Sequence, residues 1–306
     1  MAENPRMIVI LGPTASGKSA LAMSLAEKWG AEILSVDSMQ VYRGMDIGTA
    51  KPTVSERRRV RHHLIDLVDP NESFAVSEFV TRADAVIADA AQRGVRLIVT
   101  GGTPLYYKAL FEGLFEGPGA DVEIRTRLNE QPLEQLYDRL TRIDPESASR
   151  IHRNDRKRLV RALEVFELTG RPISSFQSDW SRGQMRHQAD WYGLMWEKDE
   201  LNRRINLRVK QMIESGWLDE TRDLLQRFGQ LSKTASEATG YQELIDVLTG
   251  KASLDDAVEQ IKIATRQLAR RQMKWFRRWS QVRWLNGNDP LPMLLDSIQE
   301  QIKERL

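Results

Sequence analysis

Continuous apolar runs of strand length alternate with stretches whose apolar residues recur every three to four positions, and this alternation organises the first hundred residues. Residues 7–11 (MIVIL), 32–36, 63–68 and 97–100 (LIVT) read as short strands. Between them, residues 19–29 place Leu21, Leu25 and Trp29 on one helical face, and residues 73–93 do the same with Phe79, Val86 and Ile87. Strands that alternate with helices predict a parallel sheet covered on both faces. The character changes after Gly113. Gly117-Pro118-Gly119 punctuates the chain, and residues 121–188 are charged, helix-like and poor in strand signals. Residues 191–196 (WYGLMW) return to the sheet. Long helices over 200–228 and 254–279, a strand over 282–285 and a helix over 291–306 complete the pattern. The expected organisation is a P-loop NTPase-like α/β core (1–115 with 189–306) and a helical insert domain (116–188).

Composition changes that picture little. The 306 residues with 41% hydrophobic content are enough for one core domain and a smaller insert. Charged residues make up 29%, which solvates the surface, and a formal net charge of +2 leaves any argument about partners to the distribution of charge. The absence of cysteine excludes disulfides and thiolate zinc sites. The apolar run at 7–11 is too short for a signal segment or a membrane span, so a soluble cytoplasmic protein with no membrane partner is expected. Nothing in the pattern demands more than a monomer.

The segment after the first strand carries the most specific chemistry. Gly12, Pro13, Thr14, Ala15, Ser16, Gly17, Lys18 and Ser19 match G-x-x-x-x-G-K-[ST] in full, between a strand and a helix. The glycines let the backbone curl so that its N–H groups converge, and the helix N-terminus adds positive potential. Lys18 supplies a mobile charge, and the Ser19 hydroxyl is a candidate Mg²⁺ ligand. Such a loop holds a polyphosphate, either a nucleoside triphosphate or a diphosphate leaving group. Two further loops gather at the same edge of a parallel sheet: Asp37-Ser38-Met39-Gln40 and Gly101-Gly102-Thr103. Asp37 there is a water-mediated metal ligand, a general base or a turn residue. The glycine pair is a plain turn or a close approach of backbone to ligand.

Several segments together resemble the bacterial tRNA dimethylallyltransferases, the adenosine-37 prenyltransferases. They are GPTASGKS at 12–19, DSMQVYRGMDIGTAKP at 37–52, HHLID at 62–66 and GGTPLYYKAL at 101–110. They continue with IHRNDRKRLVRALE at 151–164, RINLR at 204–208, GYQEL at 240–244 and TRQLARRQMKWFR at 265–277. The resemblance runs through most of the chain in family order. It implies dimethylallyl diphosphate and the N6 amine of a tRNA adenosine in the anticodon stem-loop as substrates, with Mg²⁺ as cofactor. It implies Asp37 as the proton acceptor and Thr14, Lys18 and Arg208 as catalytic and diphosphate-contacting residues. It also implies tRNA contacts at residues 37–40, Thr103 and Arg125, and along Lys157, Arg158, Leu159, Val160 and Arg161. Lys157 stands where many members carry glutamine.

Charge adds an independent hint. No acidic residue occurs over 260–288, a stretch that carries Arg266, Arg270, Lys274 and Arg277 at helical spacing. Such a stripe suits a nucleic-acid backbone, with Arg270 and Lys274 as candidate contacts, or else it is an ordinary solvated face. The interleaved Trp275, Phe276 and Trp279 fit a protein core better than a base-stacking platform. Basic clusters also occur at 150–161 and at 57–61. A small-molecule or nucleotide kinase and a non-catalytic RNA-binding protein are the competing readings of the same loop. An enzyme that clamps an RNA stem-loop between a sheet edge and a helical lobe, with the target base extruded toward Asp37, accords with the expected layout.

Overall fold

The computed structural model describes residues 7–113, 117–180 and 185–303. The expectations for residues 1–6, for the domain boundary at 115/116 and for the last three residues of the C-terminal helix lie outside them. The chain runs through β1 (Met7–Leu11), α1 (Lys18–Trp29), β2 (Glu32–Ser35), α2 (Val54–Arg59), β3 (His62–His63), α3 (Val76–Gln92), β4 (Leu97–Thr100) and α4 (Pro104–Glu112). Five helices follow: α5 (Val122–Asn129), α6 (Leu133–Ile143), α7 (Pro145–Arg150), α8 (Arg156–Thr169) and α9 (Ile173–Trp180). The chain then forms β5 (Ala189–Met195), α10 (Lys198–Glu214), α11 (Trp217–Phe228), a 3-10 turn (Ala235–Glu237), α12 (Tyr241–Leu248), α13 (Leu254–Phe276), β6 (Arg283–Asn286) and α14 (Leu291–Lys303). No described helix is long and apolar enough to cross a membrane.

Six strands form one sheet in the order β3-β2-β4-β1-β5-β6, and every pairing is parallel. The fold is therefore α/β, with helices flanking a parallel sheet. All five residues of β1 are buried, as expected for the central strand of a sheet covered on both faces. Ile8 and Ile10 pack with Leu21 and Leu25 of α1, Tyr192 and Leu194 of β5, and Leu294 and Ile298 of α14. Each such aliphatic side chain contributes roughly 1.5–3 kcal/mol by leaving water. Parallel pairing brings the C-terminal ends of β1, β2 and β4 to one edge, where the loops that begin at Gly12, Val36 and Gly101 emerge.

Two elements differ from the sequence expectation. The third strand stops after His63, because Leu64 and Asp66 adopt left-handed backbone at φ 62° and 54°. The chain rejoins the sheet only through a bridge between Tyr42 and Val68. The helix expected over 200–228 breaks at Gly216, whose φ of 97° turns the chain so that Trp217 enters the core. Helix α2 adds an element that the hydrophobic pattern does not announce. It has no buried residue, and its signal is instead the reciprocal capping box of Thr53 and Glu56 at its start.

The chain divides into two compact units, residues 1–110 with 187–306 and residues 111–186. Helices α5 to α9 of the second unit surround Leu128, Leu136, Leu140, Leu159, Leu163 and Val165. Asp144 caps α7 through the Ser147 N–H and also accepts from the Ser174 N–H, each at 3.0 Å, which ties α9 to the α6–α7 turn.

Candidate active site

The phosphate-loop backbone curls where Ala15 and Gly17 take left-handed φ of 64° and 90°. Its carbonyls are tied from behind by side chains from the second half of the chain. Trp196 Nε1 donates to the Ser16 carbonyl at 3.0 Å, and Arg204 Nε donates to the Ala15 carbonyl at 2.9 Å. The Arg204 guanidinium lies 4.2 Å from the centre of the Trp196 ring, so the two clamps brace each other. The Thr14 N–H donates to Gln272 Oε1 at 2.8 Å, and Lys18 Nζ donates to the Pro13 carbonyl at 3.3 Å. Tying these carbonyls back suits the loop to present N–H groups to an anion.

The second loop is built around Asp37. One carboxylate oxygen accepts from the Met39 N–H at 2.9 Å and the Gln40 N–H at 3.4 Å, the turn role expected of an Asp there. The other oxygen has no hydrogen-bond partner among the described residues. Thr103 holds this loop in place. Its N–H donates to the Val36 carbonyl at 3.1 Å, and its hydroxyl accepts from the Ser38 N–H at 2.9 Å and donates to Ser38 Oγ at 3.1 Å. Gln40 accepts from Ser35 Oγ at 2.9 Å and donates to the Thr49 and Ala50 carbonyls at 3.3 Å. A Cβ on Gly101 would stand 2.1 Å from the Val36 carbonyl oxygen. The close approach that demands glycine there is to the neighbouring strand end.

The rest of the 37–52 segment is scaffold for this loop. Lys51 Nζ is buried and donates to the Tyr42 carbonyl, Asp46 Oδ1 and Asp66 Oδ1 at 2.6–2.7 Å, which uses all three of its protons. Glu220 accepts from the N–H groups of Asp46, Ile47 and Gly48 and from the Tyr241 hydroxyl. A Cβ on Gly48 would overlap Trp217 and Tyr241. These partners come from HHLID, α11 and GYQEL, which accounts for the residue types of three segments at once.

A cavity of about 270 Å³ lies at this edge, lined by Thr14, Lys18, Ser19, Asp37, Thr103, Arg208 and Gln272 together with apolar Met23 and Ile33. Burial, reinforced by the charge of Arg208, lowers the Lys18 ammonium to about 8, and Asp37 opposes the shift. Burial also lowers Arg208, again against Asp37. The buried Lys18 and the half-buried Arg208 beside Asp37 form a cationic pair whose charge an entering anion offsets. No group of three His, Cys, Asp or Glu side chains among the described residues could hold a metal ion. The exposed Ser19 hydroxyl on the cavity wall fits Mg²⁺ held mainly by phosphate oxygens and water.

Among the candidate RNA contacts, Arg270 and Lys274 are exposed on α13, whereas Arg266 is half-buried and donates to Asn206 Oδ1 at 2.6 Å. Phe276 and Trp279 sit in an aromatic core with Tyr107 and Trp191, with ring centres 5.4–6.2 Å apart. In the second unit, Lys157 and Arg158 are exposed. Leu159 and Val160 correct the expectation for that segment. They are 0% and 4% exposed in the unit's core, so their side chains face away from any RNA. Arg125 and Arg161 both bind the buried carboxylate of Glu164, at 2.7 and 2.6 Å. The 57–61 cluster is largely spoken for by acids, with Arg57 on Asp66, Arg59 on Glu27 and Arg61 near Glu32. His62 bonds the Val60 carbonyl and His63 bonds Glu32.

Arg204 and Gln272 lie inside the segments 204–208 and 265–277 that carry the resemblance, which implies no role for either, and Trp196 and Glu220 join the site from outside every such segment. Gln272 leaves a trace in the sequence, because it shares the three-to-four spacing of buried Ala269 and Phe276 and is therefore a polar residue on an apolar helix face.

The family model described as IPP transferase matches residues 40–279. The chain belongs to this family. It is 48% identical over 295 residues to tRNA dimethylallyltransferase 1 of Citrifermentans bemidjiense, covering 96% of both chains. It is 47% identical over 300 residues to the tRNA dimethylallyltransferase of Geobacter metallireducens, with 97% of both chains covered. Among solved structures, the full-length tRNA isopentenylpyrophosphate transferase of Bacillus halodurans aligns with a TM-score of 0.73 at 37% identity, over 98% of this chain and 96% of that one. A eukaryotic dimethylallyltransferase acting on tRNA aligns with a TM-score of 0.81 at 29% identity, over 93% of this chain and 74% of that one. Family membership makes the chain a prenyl-transferring enzyme and sets aside the kinase and the non-catalytic binding protein.

Proposed function

We propose that the chain transfers the dimethylallyl group of dimethylallyl diphosphate to N6 of adenosine 37, beside the anticodon of tRNA, giving N6-dimethylallyladenosine and diphosphate. The observation that carries this reading is one cavity lined by Lys18 and Arg208 on one hand and the Asp37 carboxylate on the other. The phosphate-loop N–H groups, Lys18 and Arg208 hold the leaving group. An exocyclic adenine amine is a weak nucleophile, because its lone pair is delocalised into the ring. Asp37 removes its proton as the nitrogen attacks the allylic carbon. The N–C bond forms, the C–O bond to the diphosphate breaks, and the bonding pair leaves with the diphosphate. Charge developing on the departing oxygens is met by fixed donors in a partly dry site, which supplies much of the acceleration. Mg²⁺ at Ser19 would share that charge when bound.

The RNA lies against the exposed Arg270 and Lys274 on α13, and the target base leaves its stack to enter the cavity; Lys157 and Arg158, exposed on α8 of the second unit, are basic residues suited to phosphate. Every residue used comes from one copy of the chain, so a monomer suffices. Incubation with allyl-labelled dimethylallyl diphosphate and tRNA should move label into the RNA, and nucleoside analysis should place it on N6 of adenosine 37. Rapid turnover of ATP with a small alcohol, and no label in tRNA, would overturn the reading.

A further inference from the structure

We infer that Gln272 is a positioning residue that sets the distance between the diphosphate cradle and the Asp37 carboxylate. The inference rests on the transfer reaction proposed above. Gln272 is 3% exposed, yet its amide is fully directed. Oε1 accepts from the Thr14 N–H at 2.8 Å, and Nε2 donates to the Gly102 carbonyl at 2.7 Å. Only this orientation of the amide satisfies both neighbours, since an N–H must face the carbonyl and a carbonyl must face the N–H. Thr14 belongs to the phosphate loop after β1, and Gly102 to the loop after β4. The point where a Gly102 Cβ would sit is 3.0 Å from Asp37 Oδ2 and 3.0 Å from Gln272 Nε2. One buried amide therefore spans the two loops that carry the leaving-group site and flank the base.

The strut is rooted in a long helix. Gln272 projects from the inner face of the 23-residue helix α13, whose outer face exposes Arg270, Arg271 and Lys274. Displacing reacting groups by about 1 Å can cost on the order of 10²-fold in rate. A strut between cradle and base acts on that distance through the two loops it joins.

The test compares two full-length variants with the wild type. Gln272→Met keeps the length and removes both hydrogen bonds. It should lower kcat roughly 30- to 100-fold while KM for tRNA stays within about two-fold. Gln272→Glu adds a pH readout. Protonated, its carboxyl offers an O–H to Gly102 and a carbonyl to Thr14, which restores both bonds. Ionised, it sets a carboxylate oxygen against the Gly102 carbonyl on the same side of the cavity as the Asp37 carboxylate, with Lys18 and Arg208 on the cavity wall only partly offsetting the repulsion. Its kcat relative to wild type should rise at least about five-fold as pH falls from about 8.5 to 6, while the ratio for Gln272→Met stays flat. Wild-type kcat in Gln272→Met, or a flat ratio for both variants, would overturn the strut. Wild-type protein without transfer activity would fail the preceding proposal instead. The strut is then judged by binding of inorganic diphosphate, which Gln272→Met should weaken at least about five-fold and which an unchanged affinity would refute.

Discussion

Arg204 and Arg208 lie one helical turn apart on α10 and serve the phosphate loop differently. Arg204 Nε grips the Ala15 carbonyl from behind at 2.9 Å, while Arg208 lines the cavity and bears on Lys18 through its charge. The i, i+4 spacing delivers both from one helix. Arg208→Ala should lower kcat/KM for dimethylallyl diphosphate on the order of 10²-fold with tRNA affinity unchanged. Arg204→Ala should instead raise KM for the diphosphate and lower the melting temperature, because it frees loop backbone and removes a partner from Trp196. Equal effects of the two variants on steady-state kinetics would show that this division of roles is wrong.

Asp37 invites a substitution that separates its two functions. Its Oδ1 caps the Met39 and Gln40 N–H groups, a task an asparagine carbonyl can also perform. Asp37→Asn should therefore preserve the loop and the affinity for tRNA while kcat falls roughly 10²-fold or more through loss of the base. A parallel loss of binding and rate would assign the residue to the turn alone.

The depressed Lys18 predicts a pH dependence with a definite sign. Its folded-state value, about 8, lies below the 10.5 of a free lysine side chain. Below pH 8 the ammonium is charged in both folded and unfolded chains, and the fold bears the full cost of burying it. That cost is relieved as pH rises from 8 toward 10.5, so this group makes the empty protein more stable over that window. Diphosphate binding has the opposite preference, because the anion needs the ammonium. Affinity for inorganic diphosphate should weaken above about pH 8, with proton uptake on binding detectable by calorimetry in buffers of different ionisation enthalpy. Lys18→Arg should remove the proton uptake, since a guanidinium stays charged.

How much of this is legible in the sequence depends on the range of the contacts. Residues 7–19 announce strand, phosphate loop and helix, because a continuous apolar run and a glycine pattern are local signals. The place of Asp37 at the sheet edge follows from parallel topology. The bond from Thr14 to Gln272 joins residues 258 apart in the chain, and no local pattern encodes it. The end of β3 at Leu64 is hidden for a similar reason, since Asp66 turns there to meet Lys51 and Arg57. Leu159 and Val160 group with their basic neighbours by sequence adjacency, whereas helical phase separates them. On α8 the exposed Lys157 and Arg158 directly precede two residues that point into the core.

Lys51 should prove essential to the fold. Its side chain is fully buried and donates its three protons to three oxygens. Lys51→Met leaves the Tyr42 carbonyl and parts of Asp46 and Asp66 without a donor, at a cost of about 3 kcal/mol. Urea unfolding should show that loss. Activity at low temperature should fall as well, because the 37–52 segment positions Asp37. Unchanged unfolding would mean that water replaces the ammonium there.

The outer face of α13 offers the cleanest test of how RNA is held. Arg270 and Lys274 are exposed, and neither makes an ion pair or a hydrogen bond within the described residues, so removing them disturbs no internal contact. Arg266, by contrast, is tied to Asn206, and Arg125 and Arg161 are tied to the buried Glu164, so changes at those positions mix binding with stability. Replacing both Arg270 and Lys274 with alanine should weaken tRNA binding and reduce the slope of log affinity against log salt by about 2, one for each phosphate no longer neutralised. The chemical step, measured in a single turnover at saturating RNA, should stay within about two-fold of wild type, because neither residue lines the cavity. An unchanged salt slope would move the RNA off this helix and leave α13 as the root of Gln272 alone.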